Sequence, residues 1–147
     1  MNHSILELPK GIDAERNLVK LLWQKGFAVM RAPASGSASK RPLPDLIAGS
    51  RKRCLQLVIE VKTTRSKTLY IENESVSQLV EFAQTFGCEA FLAIKFKGRE
   101  RGWSFLKPEQ LQVTKGQNYK ITLKDALTTA IDLKTLIGEG KQTRLPS

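Results

Sequence analysis

Glu60 and Lys62 stand two residues apart in QLVIEVKTT, residues 56–64, an apolar strand-like stretch. Strand alternation puts Leu55, Leu57, Ile59 and Val61 on one face, and Cys54, Gln56, Val58, Glu60 and Lys62 on the other. Two charges on a strand can be its wet face. Here Cys54 and Val58 share that face and a helix follows to cover it, so a plain water face fits poorly. If Lys52 and Arg53 form the tip of a hairpin with the preceding DLIAG strand, Asp45 falls directly opposite Glu60. A hairpin tip two residues shorter in sum keeps them diagonal neighbours, whereas a three-residue loop breaks the alignment. Two carboxylates side by side repel and rise in pKa unless a cation sits between them. Oxygen ligands without histidine or thiolate suit magnesium, with manganese able to substitute. Beside a phosphodiester such an ion activates water and offsets transition-state charge, and a nearby lysine stabilises that charge or orients the water.

The composition removes other chemistries. The single histidine, His3, lies in a terminus expected to be mobile over residues 1–10, which excludes Ser-His-Asp, Cys-His and multi-histidine metal sites. Cys54 and Cys88 are too few for a disulfide framework, lack zinc-ligand spacing and read as small core residues. No apolar run spans a membrane and no signal-peptide pattern opens the chain, so a cytoplasmic protein with no membrane partner and no nucleotide cofactor is expected. The net charge of +10 and pI near 9.9 call for a polyanionic partner. From residue 16 to 71 twelve Lys or Arg stand against two acids, Asp45 and Glu60, while later acids and bases interleave. The basic residues of this half are the expected nucleic-acid contacts: Arg16, Arg31, Lys40, Arg41, Arg51, Lys52, Arg53, Arg65 and Lys67.

These residues need a scaffold. IDAERNLVKLLWQKG reads as a helix with Asp13 as N-cap, Gly26 as stop and Ala14, Leu18, Leu21 and Leu22 as its buried face. Glu15 falls within that apolar arc, where an acid also favours the helix N-terminus. FAVMR is a strand, followed by a small-residue loop with three prolines. Residues 32–44 are expected to be a flexible DNA-contacting loop. DLIAG and CLQLVIEVKT form two strands around the basic turn SRKR. VSQLVEFAQTFG is a helix capped by Ser75, EAFLAIKF and WSFL are strands, YKITL is a further strand, and a last helix runs from about residue 125 to 137. This order predicts a single α/β domain over residues 1–147, a central mixed sheet flanked by helices.

The spacing of Pro44-Asp45 and Glu60-Val61-Lys62 resembles the PD-(D/E)-x-K signature of the restriction-endonuclease-like nucleases. GIDAERNLVKLLWQKGFAVMR, with a serine four residues after its final arginine, the P-D-L-x-A-G strand, the E-V-K strand and the L-x-x-F-A-x-x-F-G helix together resemble the archaeal Holliday junction resolvases over residues 11–103. The loop between Arg31 and Asp45 is longer and richer in Ser and Ala than in the family's shortest members, and residues after about 108 are not diagnostic. The resemblance implies Glu15, Asp45 and Glu60 as metal-site acids and Lys62 as the catalytic lysine. It places Arg31 and Ser35 near the scissile phosphate and Arg16 on DNA beside the site. It also implies a metal-dependent endonuclease that leaves 5′-phosphate and 3′-hydroxyl ends on four-way junctions. A nuclease of the same fold for flap or duplex DNA, or a non-catalytic nucleic-acid-binding module, are the competing readings.

Paired incision of a two-fold symmetric junction calls for a homodimer, because one chain supplies one carboxylate site. On the helix near Val76, the positions Val76, Leu79, Val80, Phe82, Ala83 and Phe86 span an arc of about 160° at ~100° per residue, wider than one sheet covers. Phe82 and Phe86 are therefore expected at the partner surface, unless the C-terminal helix covers the excess within the same chain.

Overall fold

The computed structural model describes residues 12–33 and 43–139. The N-terminal ten residues, Ser35, Lys40 and Arg41, and most of the 32–44 loop lie outside the described residues. Helix α1 (Ile12–Gln24) leads to strand β1 (Ala28–Arg31), then β2 (Leu46–Ser50) and the long β3 (Leu55–Thr64). Strand β4 (Thr68–Ile71) and helix α2 (Asn73–Phe86) precede β5 (Glu89–Phe96) and β6 (Ser104–Leu106). The chain ends in β7 (Gln112–Val113), β8 (Tyr119–Thr122), α3 (Leu123–Thr129) and α4 (Leu133–Leu136). The main sheet runs β1-β2-β3-β5-β6, with β3 and β5 parallel and its other neighbours antiparallel, which is the mixed sheet expected.

Each face of this sheet has its own core. Leu57, Ile59 and Val61 of β3 pack with Leu18 and Leu22 of α1, and with Phe27, Phe105 and Leu136. Val58 points the other way and joins Val76, Leu79 and Ala83 of α2, together with Ile71 and Ile121 of the smaller sheet. A central strand covered on both sides reads as a near-continuous apolar run, which is why β3 is so apolar. Truncating Leu57 or Ile59 to Ala removes that packing at a cost of about 2–5 kcal/mol.

The hairpin between β2 and β3 pairs Leu46 with Ile59 and Ser50 with Leu55 across a four-residue turn, the register that sets Asp45 opposite Glu60. The turn closes through Cys54, whose φ of 53° is left-handed, and through its N–H donating to the Arg51 carbonyl at 3.1 Å.

Three local expectations are corrected. Asp13 lies inside the first turn of α1, which already includes Ile12. Ser75 does not cap α2: that helix starts at Asn73, whose N–H donates to Oδ1 of Asn118 at 3.0 Å, so the cap comes from a distant loop. The last helix is two short ones. Ile131 leaves helical geometry to exchange backbone hydrogen bonds with Phe105, at 3.0 and 2.8 Å, and so covers the β6 edge. Thr122 and Asp132 cap α3 and α4 by accepting from the N–H of Asp125 and Thr135. A second sheet, β4-β8-β7, was not foreseen; two of its strands are four residues long and one is two.

Arg53 holds the hairpin turn to the rest of the chain. Its Nε donates to the Lys25 carbonyl at 2.7 Å, Nη1 to the Ile137 carbonyl at 2.9 Å and Nη2 to Glu139 Oε2 at 2.6 Å. Lys25 reaches the same carboxylate at 3.1 Å. The guanidinium thereby satisfies carbonyls at the ends of α1 and α4. Arg53→Ala should lower the unfolding free energy in urea by about 1–3 kcal/mol, against ~0.5 or less for the neighbouring exposed Lys52→Ala. Equal effects of the two would contradict this role.

Candidate active site

The carboxylates meet because backbone register leaves them no alternative. Asp45 sits just before β2, and its carbonyl accepts the Ala32 N–H at 2.9 Å, which continues the β1–β2 pairing by one step. Its Oδ2 accepts the Val61 N–H at 2.8 Å, fixing the carboxylate against β3. Glu60 lies beside it, one step past the Leu46–Ile59 pair of the hairpin. The Glu60 side chain is only 15% exposed, and Lys62 Nζ lies 3.6 Å from its Oε2.

Burial dominates the electrostatics. Desolvation, then repulsion from Asp45, pushes Glu60 up to about 7 despite the opposing pull of Lys62. Desolvation also raises Asp45, against the lowering effects of the Val61 N–H and of Lys62. Glu15, 19% exposed on α1, is raised by burial and by Asp45. The site therefore carries more negative charge than its own cations neutralise.

Glu15 is not gathered with the other two. Its Oε1 lies 3.5 Å from Arg31 Nε, and among the described residues no three Asp, Glu, His or Cys side chains are grouped to hold an ion. Arg31 Nε is buried and makes no hydrogen bond of good geometry to the described residues. A buried unsatisfied donor beside a carboxylate cluster calls for an acceptor. The structure thus brings Asp45, Glu60 and Lys62 together, with Glu15 and Arg31 as a loose ion pair alongside. Arg16 is exposed on α1, and Arg65 and Lys67 are exposed in the turn just past the site end of β3. Arg51, Lys52 and Arg53 sit in the turn at the opposite end of the hairpin, beyond Leu55, which is itself roughly 17 Å from Glu60 at strand rise.

One cation escaped the sequence reading. Lys95 lies opposite Thr63 in the β3–β5 register, its Nζ 5.3 Å from the ring centre of Trp103. The Trp103 indole N–H donates to Asn17 Oδ1 of α1 at 3.2 Å. Lys95 is the lone charge inside AFLAIKF, the same signal that singled out Glu60.

A mixed sheet that delivers an Asp from one hairpin strand and Glu-x-Lys from the next, backed by helices on both faces, is a restriction-endonuclease-like fold. The chain belongs to the archaeal Holliday junction resolvase family, whose model matches residues 7–145. It is 40% identical over 129 residues to the crossover junction endodeoxyribonuclease Hjc of Sulfurisphaera tokodaii, covering 87% of this chain and 85% of that one. It is 38% identical to the Hjc of Methanocaldococcus jannaschii, covering 92% of each. The solved structure of Archaeoglobus fulgidus Hjc, described as a Holliday junction resolvase from an archaeal hyperthermophile, superposes with a TM-score of 0.77 at 34% identity. That match covers 87% of this chain and 100% of that structure.

The raised carboxylate yields a stability test. An acid with a folded pKa near 7 and an unfolded value near 4.5 binds its proton more tightly in the native state. Its contribution is therefore most favourable at low pH and is lost as pH rises through this window. In chelator, Glu60→Gln should be more stable than wild type at pH 8, on the order of 2 kcal/mol, with the gap closing near pH 4.5. A gap independent of pH in thermal melts would refute the assignment.

Proposed function

We propose that this protein is a structure-selective, divalent-metal-dependent endonuclease that resolves four-way DNA junctions by hydrolysing phosphodiesters on opposing strands. The observation that carries the reading is the buried Asp45–Glu60 pair with Lys62 at 3.6 Å, on a basic chain. The donor set fits a hard cation. Its oxygens are carboxylates, its negative charge is under-compensated, and burial raises all three acids. Asp45 and Glu60 would hold magnesium, with Glu15 joining once Arg31 is drawn to a phosphate, and manganese would substitute. When bound, the metal supplies an activated water and Lewis-acid stabilisation of the phosphoryl oxygens.

The protein's own groups do the positioning. The Val61 N–H fixes Asp45, so one carboxylate is oriented before substrate arrives. Lys62 Nζ, 3.6 Å from Glu60, would leave that carboxylate free to hold the metal and offer its ammonium to a non-bridging phosphate oxygen or to the attacking water. Arg31 Nε, ion-paired with Glu15 but without a hydrogen bond among the described residues, is suited to the scissile phosphate, whose oxygens would accept from it. Ser35 falls to the same role by family position, and Lys40 and Arg41, the basic residues of the same loop, would reach phosphates. Arg16, Lys95, Arg65 and Lys67 surround this end of the sheet and would track neighbouring phosphates.

The junction's symmetry asks for two chains, and the structure offers a surface. Phe82 is half-buried against the α2 core and stacks on Phe86, ring centres 5.7 Å apart. Phe86 is 54% exposed, with Trp23 and Met30 also exposed. Those three, with Val29, Ile47 and Ala48, line an apolar groove of about 330 Å³ along edge strand β1. The partner surface we propose is thus wider than the two phenylalanines and includes an unpaired strand edge.

Asp45→Asn, Glu60→Gln and Lys62→Ala should each cut single-turnover cleavage of a four-way junction by at least about 10²-fold. Binding in calcium should stay within several-fold of wild type. Cleavage at the wild-type rate by any of them would remove its assigned role, and equal wild-type affinity for junction, flap and duplex would remove structure selectivity. Phe86→Asp should sediment as a monomer at micromolar concentration, whereas a variant as dimeric as wild type would move the interface elsewhere.

A further inference from the structure

The small sheet presents an outward face that the catalytic residues do not use. In β4, Leu69 and Ile71 turn into the α2-side core, as does Ile121 of β8. Alternation therefore turns Thr68, Tyr70, Lys120 and Thr122 outward. Tyr70 is directly opposite Lys120, Thr68 opposite Thr122, and Gln112 of β7 opposite Lys120 on its other side. Tyr70 is 67% exposed. Of this outward set, Thr68 and Tyr70 offer hydroxyls and Lys120 an ammonium, while the Thr122 hydroxyl caps α3. The nearby carboxylate of Asp125 is occupied by Gln112 Nε2 at 2.6 Å.

Position completes the argument. The strand that carries Lys62 passes through Arg65 and Lys67, both exposed, directly into β4. The Lys67 carbonyl accepts the Leu123 N–H at 2.7 Å, which fixes this turn to the end of β8. Basic groups thus continue from the catalytic lysine through the turn to the Tyr70–Lys120 pair. We propose that this outer face is a second DNA-backbone contact, on which one duplex arm lies with phosphates bonded by Lys120 and the Tyr70 hydroxyl, beyond the strand being cut. A hydroxyl paired with an ammonium suits phosphates and carries no base-reading geometry. The proposal rests on the junction-binding reading above.

The test is the paired variant Tyr70→Phe, Lys120→Gln, which keeps ring volume and lysine-stem packing and should melt at the wild-type temperature. Its affinity for a four-way junction with arms of about 15 base pairs should fall roughly five- to tenfold, and the slope of log affinity against log salt should shrink by about one. Its single-turnover cleavage rate at saturating protein should match wild type. If wild type binds the junction and the paired variant binds equally with the same slope, this proposal falls and the nuclease reading stands. A wild type that binds no junction removes both. If Tyr70→Phe binds like wild type while Tyr70→Ala is weakened, the ring stacks on unpaired bases and the backbone assignment is overturned.

Discussion

Asp45 and Glu60 repel each other, and the hairpin does not let them part. Their separation is set by a β2–β3 register that the core enforces, because a one-residue slip would turn Leu57, Ile59 and Val61 away from α1. The hydrophobic residues of β3 therefore hold two acids in a place that electrostatics alone would reject. Desolvation by the same core is the largest cause of the rise in both pKa values. Lys62, the Val61 N–H and Arg31 relieve the strain in part, while Glu15 adds to it. A cation between the two carboxylates would relieve the rest, and at such sites stability is exchanged for function.

The sheet separates two tasks along its length. At one end lie the acids, Lys62, Lys95 and the basic turn into β4. At the other, Arg53 and Lys25 tie the hairpin turn to the ends of α1 and α4 through Glu139. Both ends are basic, so charge in the sequence alone does not tell them apart. The geometry does: Arg53 spends its donors on backbone carbonyls and one carboxylate, whereas Arg31 keeps a buried donor unsatisfied beside the acids.

The juxtaposition of Asp45, Glu60 and Lys62 was legible because strand alternation and hairpin pairing are short-range rules. Leu57, Ile59 and Val61 facing one way and Val58 the other is what the two cores show. The hairpin pairing needed only the four-residue turn. What escaped depended on distant partners. Asn118 supplies the start of α2, Phe105 pulls Ile131 out of a helix, and β4 gains its strand character from β8 some fifty residues later. The Arg53 clamp closes on residues 28, 84 and 86 positions away. Glu15 was placed correctly toward the sheet, but its ion pair with Arg31 crosses from helix to strand and has no signature in either segment.

Everything proposed for the site turns on Glu60, a largely buried acid that a divalent cation would convert to a carboxylate. Isotope-edited carbon NMR of the Glu60 side-chain carboxyl, titrated with and without saturating magnesium, measures this directly. The metal-free protein should titrate near pH 7, well above the usual 4.5, and magnesium should move the midpoint down by more than one unit. A midpoint near 4.5 in both titrations would contradict the account.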